Sequence, residues 1–322
     1  MTDPQPTRRD FLKAGSAAVA SGAFATQSRL AAGAYAGGSD VLKVGLIGCG
    51  GRGTGAAAQA LNADKNAKLV AVGDAFADQA GRCAKRLKAS FGERATVGEE
   101  RQFSGFDAYK KVIAASDVVL LATPPHFRPE HLKAAVAAGK HVFCEKPVAV
   151  DAPGCRSVAE TVKAAGKKNL SLVSGLCWRY HPTIRATFDK VKSGAIGGIR
   201  AMRCSYNTRG LWKKPRQPDW SDMEWQVRNW LYFTWLSGDH IVEQHIHSLD
   251  KMVWAMGDRH PLKCSATGGR QTRTSKDYGH IYDHFACEFD FGDGVKAFSR
   301  CRQQDGCDVD VSDTLWGSKG RC

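Results

Sequence analysis

Apolar residues follow two different patterns along this chain. Up to about Gly175 they form short unbroken runs, each closed by glycine, proline or a charged residue: Val41 to Ile47, Lys68 to Gly73, Val118 to Ala122, His141 to Cys144 and Leu170 to Gly175. Runs of that length without alternation predict strands covered on both faces. Segments with helical spacing lie between them, at Gly51 to Leu61, Ala77 to Ser90, Phe106 to Ala115, Arg128 to Ala138 and Pro153 to Gly166. Such alternation predicts a parallel sheet with right-handed crossovers. Phe91 to Gly105 has no clear period and reads as loop.

Beyond Gly175 the pattern changes. One helix is expected near Thr183 to Lys192, followed by strand-like runs at Ile199 to Tyr206, Leu262 to Thr267, His284 to Phe291, Val295 to Arg302 and Val309 to Trp316. Phe291-Gly292-Asp293-Gly294-Val295 carries a hairpin signal. The fold class is therefore α/β: a Rossmann-type domain over 40–175, then an α/β domain over 176–322 with an open, mainly antiparallel sheet. Between the first strands of that second sheet sits Leu211 to Leu236, with Trp212, Trp220, Trp225, Trp230 and Trp235, five of the eight tryptophans. Two readings stand for it: core or subunit-interface packing, and a substrate-covering loop that stacks indoles on sugar C–H faces.

The first 36 residues read differently. Thr7-Arg8-Arg9-Asp10-Phe11-Leu12-Lys13 matches the twin-arginine export consensus, and an Ala-, Gly- and Ser-rich stretch follows to Ser28. Ala34-Tyr35-Ala36 supplies a cleavage site, with Ala23-Phe24-Ala25 as the alternative. A removed leader, the twin-arginine export machinery as a partner, and a periplasmic or cell-envelope location are expected. The leader is too short and too weakly apolar to span a bilayer, so no membrane attachment is expected of the mature form.

Composition narrows the classes. With 43% hydrophobic and 24% charged residues the chain reads as globular. A net charge of +14 would permit nucleic acid, but the basic residues are scattered. Their densest groups, Lys110-Lys111, Lys167-Lys168 and Lys213 to Arg216, lie far apart and read as solvated faces, so no nucleic-acid partner is expected. The eleven cysteines contain no C-x-x-C pair, which argues against a zinc ribbon or a thioredoxin-type site.

The chemistry begins where the first strand breaks into Gly48-Cys49-Gly50-Gly51-Arg52-Gly53. Gly48 permits a tight turn, Gly50 lets backbone approach a pyrophosphate, and Gly53 lets the helix pack on the strand. Asp74 ends the second strand, about twenty residues on, where a carboxylate accepts bonds from both ribose hydroxyls and repels a 2′-phosphate. Asp74 thus favours NAD over NADP, and an N-cap role for the following helix is compatible with this. Arg52 is the counter-signal, since it could pair with a phosphate. Thr123-Pro124-Pro125-His126 ends a strand at the carboxyl edge, where open α/β sheets bind ligands.

With these motifs the chain resembles the glucose–fructose oxidoreductase, inositol dehydrogenase and rhizopine-catabolism group, Gfo/Idh/MocA. The resemblance runs from about Val41 to the end and rests on GCGGRG at Gly48 to Gly53, TPPH at Thr123 to His126, EKP at Glu145 to Pro147, WRYHP at Trp178 to Pro182 and GDHIVEQHIH at Gly238 to His247. It implies a nicotinamide-dependent oxidoreductase acting on a sugar or cyclitol, and a homo-oligomer. Gly48, Gly50, Gly51, Arg52, Gly53, Asp74, Thr123, Pro124, His126, Glu145, Lys146 and Arg179 would then hold the cofactor. Lys146 would be the catalytic lysine, at a strand end where it can polarise a carbonyl or relay a proton. The family often has a cis bond before the proline that here is Pro147. His247 would take the hydroxyl proton, and Glu243, standing where the family has aspartate, would orient substrate or histidine from the same helix face. Tyr180 and His181, with Lys146, Glu243 and His247, would line the substrate pocket.

His240, Glu243, His245 and His247 also invite a metal reading, but the family chemistry requires none and no metal is expected. In the family, Trp316 to Cys322 looks like a turn within the second sheet, so further strands are expected after it. Two other functions share these residues. One is a glycosidase that oxidises a sugar transiently with tightly held NAD. The other is a dinucleotide- or sugar-binding protein without turnover.

Overall fold

The computed structural model describes residues 40–322. The leader expected over residues 1–36 lies outside the described residues. Among the described residues no helix is long and apolar enough to cross a membrane.

Six strands form the first sheet: β1 (Leu42–Ile47), β2 (Ala67–Asp74), β3 (Gln102–Ser104), β4 (Val118–Leu121), β5 (His141–Cys144) and β6 (Leu172–Ser174). Their order is β3-β2-β1-β4-β5-β6 and every pair is parallel. The chain reverses direction across the sheet between β1 and β4, which opens a crevice at the carboxyl ends of those strands. The crossover helices are α1 (Gly51–Ala63), α2 (Ala77–Phe91), α3 (Ala108–Ala115), α4 (Arg128–Ala137) and α5 (Ala152–Lys167). They cover both faces. Val44, Leu46, Leu69 and Val72 pack with Leu61, Cys83 and Leu87 on one side. Ile47, Ala71, Val119, Leu121 and Val142 pack with Val112, Ile113, Leu132 and Val136 on the other. This two-sided burial is why the strands read as continuous apolar runs. The structure adds β3 inside the segment expected to be loop. It is a three-residue edge strand formed by pairing with Val72 to Asp74.

A helix α6 (Pro182–Lys192) leads into the second sheet: β7 (Ile199–Thr208), β8 (Lys263–Gly269), β9 (His284–Asp290), β10 (Lys296–Gln303) and β11 (Asp310–Gly317). Its order is β11-β7-β10-β9-β8, antiparallel except for the β7–β10 pair. Between β7 and β8 lie four helices, α7 (Asp222–Arg228), α8 (Thr234–Ser237), α9 (Asp239–Glu243) and α10 (Ile246–Ala255). Met252 and its neighbours on α10 pack with Met202, Cys204, Ala297 and Leu315, which fixes α10 against the sheet.

The tryptophan-rich segment builds a core of its own. Val227, Leu231, Tyr232, Phe233, Leu236 and Ile281 pack with Trp225, Trp230 and Trp235, and also with Ala75, Phe76 and Phe127 of the first sheet's loops. All eleven cysteines carry free thiols, six of them buried.

Candidate active site

The glycine turn behaves as its spacing requires. Gly48 sits at φ +96°, and a Cβ there would lie 2.5 Å from the Ala122 carbonyl carbon and the Thr123 nitrogen. The turn thus passes hard against the end of β4. Gly50 and Gly51 face open space, with nothing within 4 Å of a built Cβ. Helix α1 starts there with no side-chain cap and no acidic residue in its first turn. Its free N–H groups and positive dipole end suit an anion. An open cradle over backbone donors fits the pyrophosphate of a nicotinamide dinucleotide.

Asp74 stands at the end of β2. One carboxylate oxygen accepts the Cys49 N–H at 2.7 Å, the other the Phe76 N–H at 3.1 Å. Burial raises its pKa, and these two backbone bonds oppose that shift. Asp74 therefore ties β2 to the glycine turn, and one lone pair on each oxygen stays available to a ribose. It lines a cavity together with Gly48, Gly50, Phe76, Thr123 and Pro124.

Lys146 follows the end of β5. The Lys146–Pro147 bond is cis. Lys146 Nζ lies 2.9 Å from Glu243 Oε1 and also donates to the Glu243 carbonyl oxygen, with both side chains largely enclosed. His247 stands in the same field. Its pKa falls to about 4, first through burial and then through the charges of Lys146 and Lys251. Its Nδ1 is buried with no hydrogen-bond partner. With its pKa so lowered, the imidazole is neutral at ordinary pH. Glu243 also raises the pKa of half-buried Tyr206, after burial. Tyr206 was not among the residues expected here, because only the β7 pairing brings it to the site.

Several expectations are corrected. Glu243 ends α9, Gln244 breaks the helix at φ −107°, and His247 belongs to α10. The two do not share one helix face. Arg52 is held beside the glycine turn by two acceptors: its Nε donates to Glu145 Oε1 at 2.6 Å and an Nη to Gln59 at 3.0 Å. Arg179 is paired within the second half of the chain. Its guanidinium bonds Asp250 at 2.9 Å and Asp258 at 2.8 Å and stacks on Trp254. Both aspartates are remote in sequence, so no local pattern announces them. His126 is exposed, edge-on to Trp235 at 5.0 Å, and does not line the cavity. Tyr180 and His181 are both exposed; His181 packs near Trp178, over which the Lys251 ammonium sits. The histidines of the GDHIVEQHIH motif separate: His245 Nε2 lies 2.7 Å from Ser299 Oγ and His240 Nδ1 2.9 Å from Asp239. Among the described residues no group of three His, Cys, Asp or Glu could hold a metal ion.

One positioning residue was missed. Arg128, 5% exposed, donates to the carbonyls of Thr123 (2.8 Å), Glu145 (3.0 Å) and Pro147 (2.6 Å). It staples the β4 end to the Glu145-Lys146-Pro147 loop. A lone arginine before a proline gives no sequence signal for this.

The buried imidazoles make a pH prediction. Burial depresses His131 and His247 to about 4 and His245 to about 3. The unfolded chain binds those protons below about 6.5, whereas the folded one does not. The unfolded state therefore holds more protons in that window, and folding stability falls as pH drops from 6.5 towards 4. A loss on the order of a few kcal/mol between pH 7.5 and pH 4.5 is expected from urea midpoints. A flat midpoint across that range would contradict the burial of these rings.

Comparison with known proteins places these features. Residues 42–172 match the family model described as "Oxidoreductase family, NAD-binding Rossmann fold" (GFO_IDH_MocA). The chain is 29% identical over 267 residues to inositol 2-dehydrogenase 3 of Saccharopolyspora erythraea, an alignment that covers 81% of this chain and 68% of that protein. Across the inositol 2-dehydrogenases it matches, the chain spans 55% to 68% of their length. Among solved structures, GenD2 from gentamicin A biosynthesis in complex with NAD superposes with a TM-score of 0.66 at 20% identity, over 87% of this chain and 71% of that one. A 3-ketoreductase from Actinomadura kijaniata, in complex with TDP-benzene and NADP, gives 0.64 at 21% identity, over 87% and 75%. These two likenesses concern the fold.

Proposed function

We propose that the protein, whose residues 42–172 match the Gfo/Idh/MocA model of an NAD-binding Rossmann fold, oxidises or reduces a sugar or cyclitol hydroxyl with a nicotinamide dinucleotide. The observation that carries this reading is the Lys146–Glu243 pair at the end of β5 with the unpartnered Nδ1 of His247 in its field. The dinucleotide, when bound, supplies the hydride acceptor or donor. Lys146 donates a hydrogen bond to the reacting oxygen and stabilises charge developing there. His247, a neutral imidazole in the field of Lys146, takes the hydroxyl proton. Glu243 holds the ammonium in place through its carboxylate and its carbonyl. Gly50, Gly51 and the α1 N-terminus bind the pyrophosphate, and Asp74 the adenosine ribose.

Asp74 supports NAD as the preferred nucleotide. The same proposal takes residues 1–36 as a twin-arginine leader, the mature protein as periplasmic or in the cell envelope, and 176–322 as the substrate-binding domain of a homo-oligomer. The activity test is direct: the protein with NAD and a panel of inositols and aldoses, followed at the nicotinamide absorbance. Net reduction of NAD with at least one polyol is expected. Glycoside cleavage without net reduction, or no hydride exchange with labelled polyols, would overturn it.

A further inference from the structure

The cavity beside Asp74 is closed by residues from the other half of the chain. Besides Gly48, Gly50, Phe76 and Gln79, it is lined by Lys214, Val227, Arg228 and Trp230 of the tryptophan-rich segment. The indoles of that segment are engaged in packing. Trp212 and Trp230 lie 6.2 Å apart, Trp225 is edge-on to Phe233 at 5.1 Å, and Trp235 donates its Nε1–H to Gln226 at 2.8 Å. Arg228 latches the segment across the cleft. Its guanidinium sits 3.8 Å from the Phe76 ring centroid and bonds Asp78 at 3.0 Å and Glu224 at 2.8 Å. The segment therefore roofs the adenosine end of the crevice, marked by the end of β2, with Trp225, Trp230 and Trp235 packed into the core beneath it.

The charges under this roof are unequal in their pairing. Arg82 is bonded to Asp78 at 2.6 Å, and Arg228 is bonded to two carboxylates. Lys214 is half-buried, anchored by its backbone to Asn229 and to the Trp225 indole, and its ammonium lies over the Trp212 ring. Among the described residues no carboxylate forms an ion pair with it. Burial lowers its pKa, helped by Arg228 and Arg82 and opposed by Asp74 and Asp78, so those four groups share its surroundings. Asp74 meanwhile has both oxygens accepting backbone N–H bonds, which fixes the orientation of its carboxylate in the cavity wall.

We propose that Lys214 is a specificity-determining residue of the nucleotide site, a cation that receives the 2′-phosphate monoester of NADP and lets the protein accept NADP beside NAD. This rests on the dinucleotide reading above and adds to it. A carboxylate at the end of β2 alone would reject the phosphate dianion. A roof cation without a carboxylate partner offsets that repulsion through a charge-assisted bond.

The experiment is a pair of titrations of the whole protein with NADPH and NADH, read by energy transfer from the roof tryptophans. The wild type is expected to bind both, with dissociation constants within about tenfold of each other. Lys214→Gln should raise the NADPH-to-NADH ratio about tenfold, and Lys214→Glu further, since a charge-assisted phosphate contact is lost. Lys213→Gln is the control, because its neighbouring ammonium pairs with Asp277. A ratio unmoved by Lys214→Gln in a protein that binds both nucleotides overturns this inference alone. So does an equal shift with Lys213→Gln. Wild-type protein that binds neither nucleotide overturns the dinucleotide reading with it.

Discussion

Lys146→Ala is expected to lower kcat by about a thousandfold or more while a nicotinamide nucleotide still binds. The reasoning is positional. The lysine leaves β5 at the carboxyl edge, two strands from the glycine turn, so it stands at the far end of the crevice from Asp74. Its ammonium is held by two acceptors on Glu243, and His247 completes the group. Loss of the ammonium removes the donor at the reacting oxygen. The pyrophosphate cradle is untouched, so nucleotide affinity should stay within about threefold. Glu243→Gln separates catalysis from positioning. The Glu243 carbonyl still holds Lys146 in that variant, so kcat should fall less, by about ten- to a hundredfold. Stopped-flow hydride transfer measures both. A Lys146→Ala protein with kcat within tenfold of wild type removes Lys146 from the chemistry.

The sequence made the first sheet legible because its strands are buried on both faces. Val118 to Leu121 and His141 to Cys144 are continuous apolar runs ended by Thr123-Pro124 and Glu145-Lys146-Pro147, and the structure places strand ends at those points. Gln102–Ser104 carried no such signal, because an edge strand of three mixed residues exists only through its pairing with β2. The second sheet was legible as strands, whereas its partners were not. The helical spacing of Glu243 and His247 suggested one face, but the backbone turns at Gln244, and the two side chains converge around Lys146 from separate helices.

Charge was the least legible property. Lys213 to Arg216 read as one solvated face, yet Lys213 points to Asp277 while Lys214 lines the cavity beside Asp74. Arg52 and Arg179, both expected at the cofactor, are held by Glu145 and by Asp250 and Asp258. Each of these partners lies more than 60 residues away in the chain. Spacing along a strand or helix reports which face a residue occupies. It says nothing about which remote carboxylate will be waiting there.

Two glycine substitutions should separate the fold of the nucleotide site from its cradle. Gly53 is buried in the first turn of α1, and a Cβ there would collide with the Gly48 carbonyl oxygen. That oxygen belongs to a turn already wedged against Ala122 and Thr123, so it has nowhere to retreat. Gly53→Ala must therefore push α1 off the sheet. A destabilisation of about 1–3 kcal/mol is expected, as for overpacked cores, together with a loss of NAD affinity of at least about a hundredfold, since the α1 N–H groups no longer face the phosphates. Gly50→Ala meets no protein atom within 4 Å and sits in extended backbone at φ −66°, ψ −176°. Its folding stability should match wild type, while the added methyl occupies the space through which the backbone approaches the pyrophosphate. Denaturant midpoints beside NAD dissociation constants give the answer. If Gly50→Ala binds NAD as wild type does, the pyrophosphate does not lie over the α1 N-terminus. If Gly53→Ala keeps both stability and affinity, the close contact of that helix with the turn is not what holds the site together.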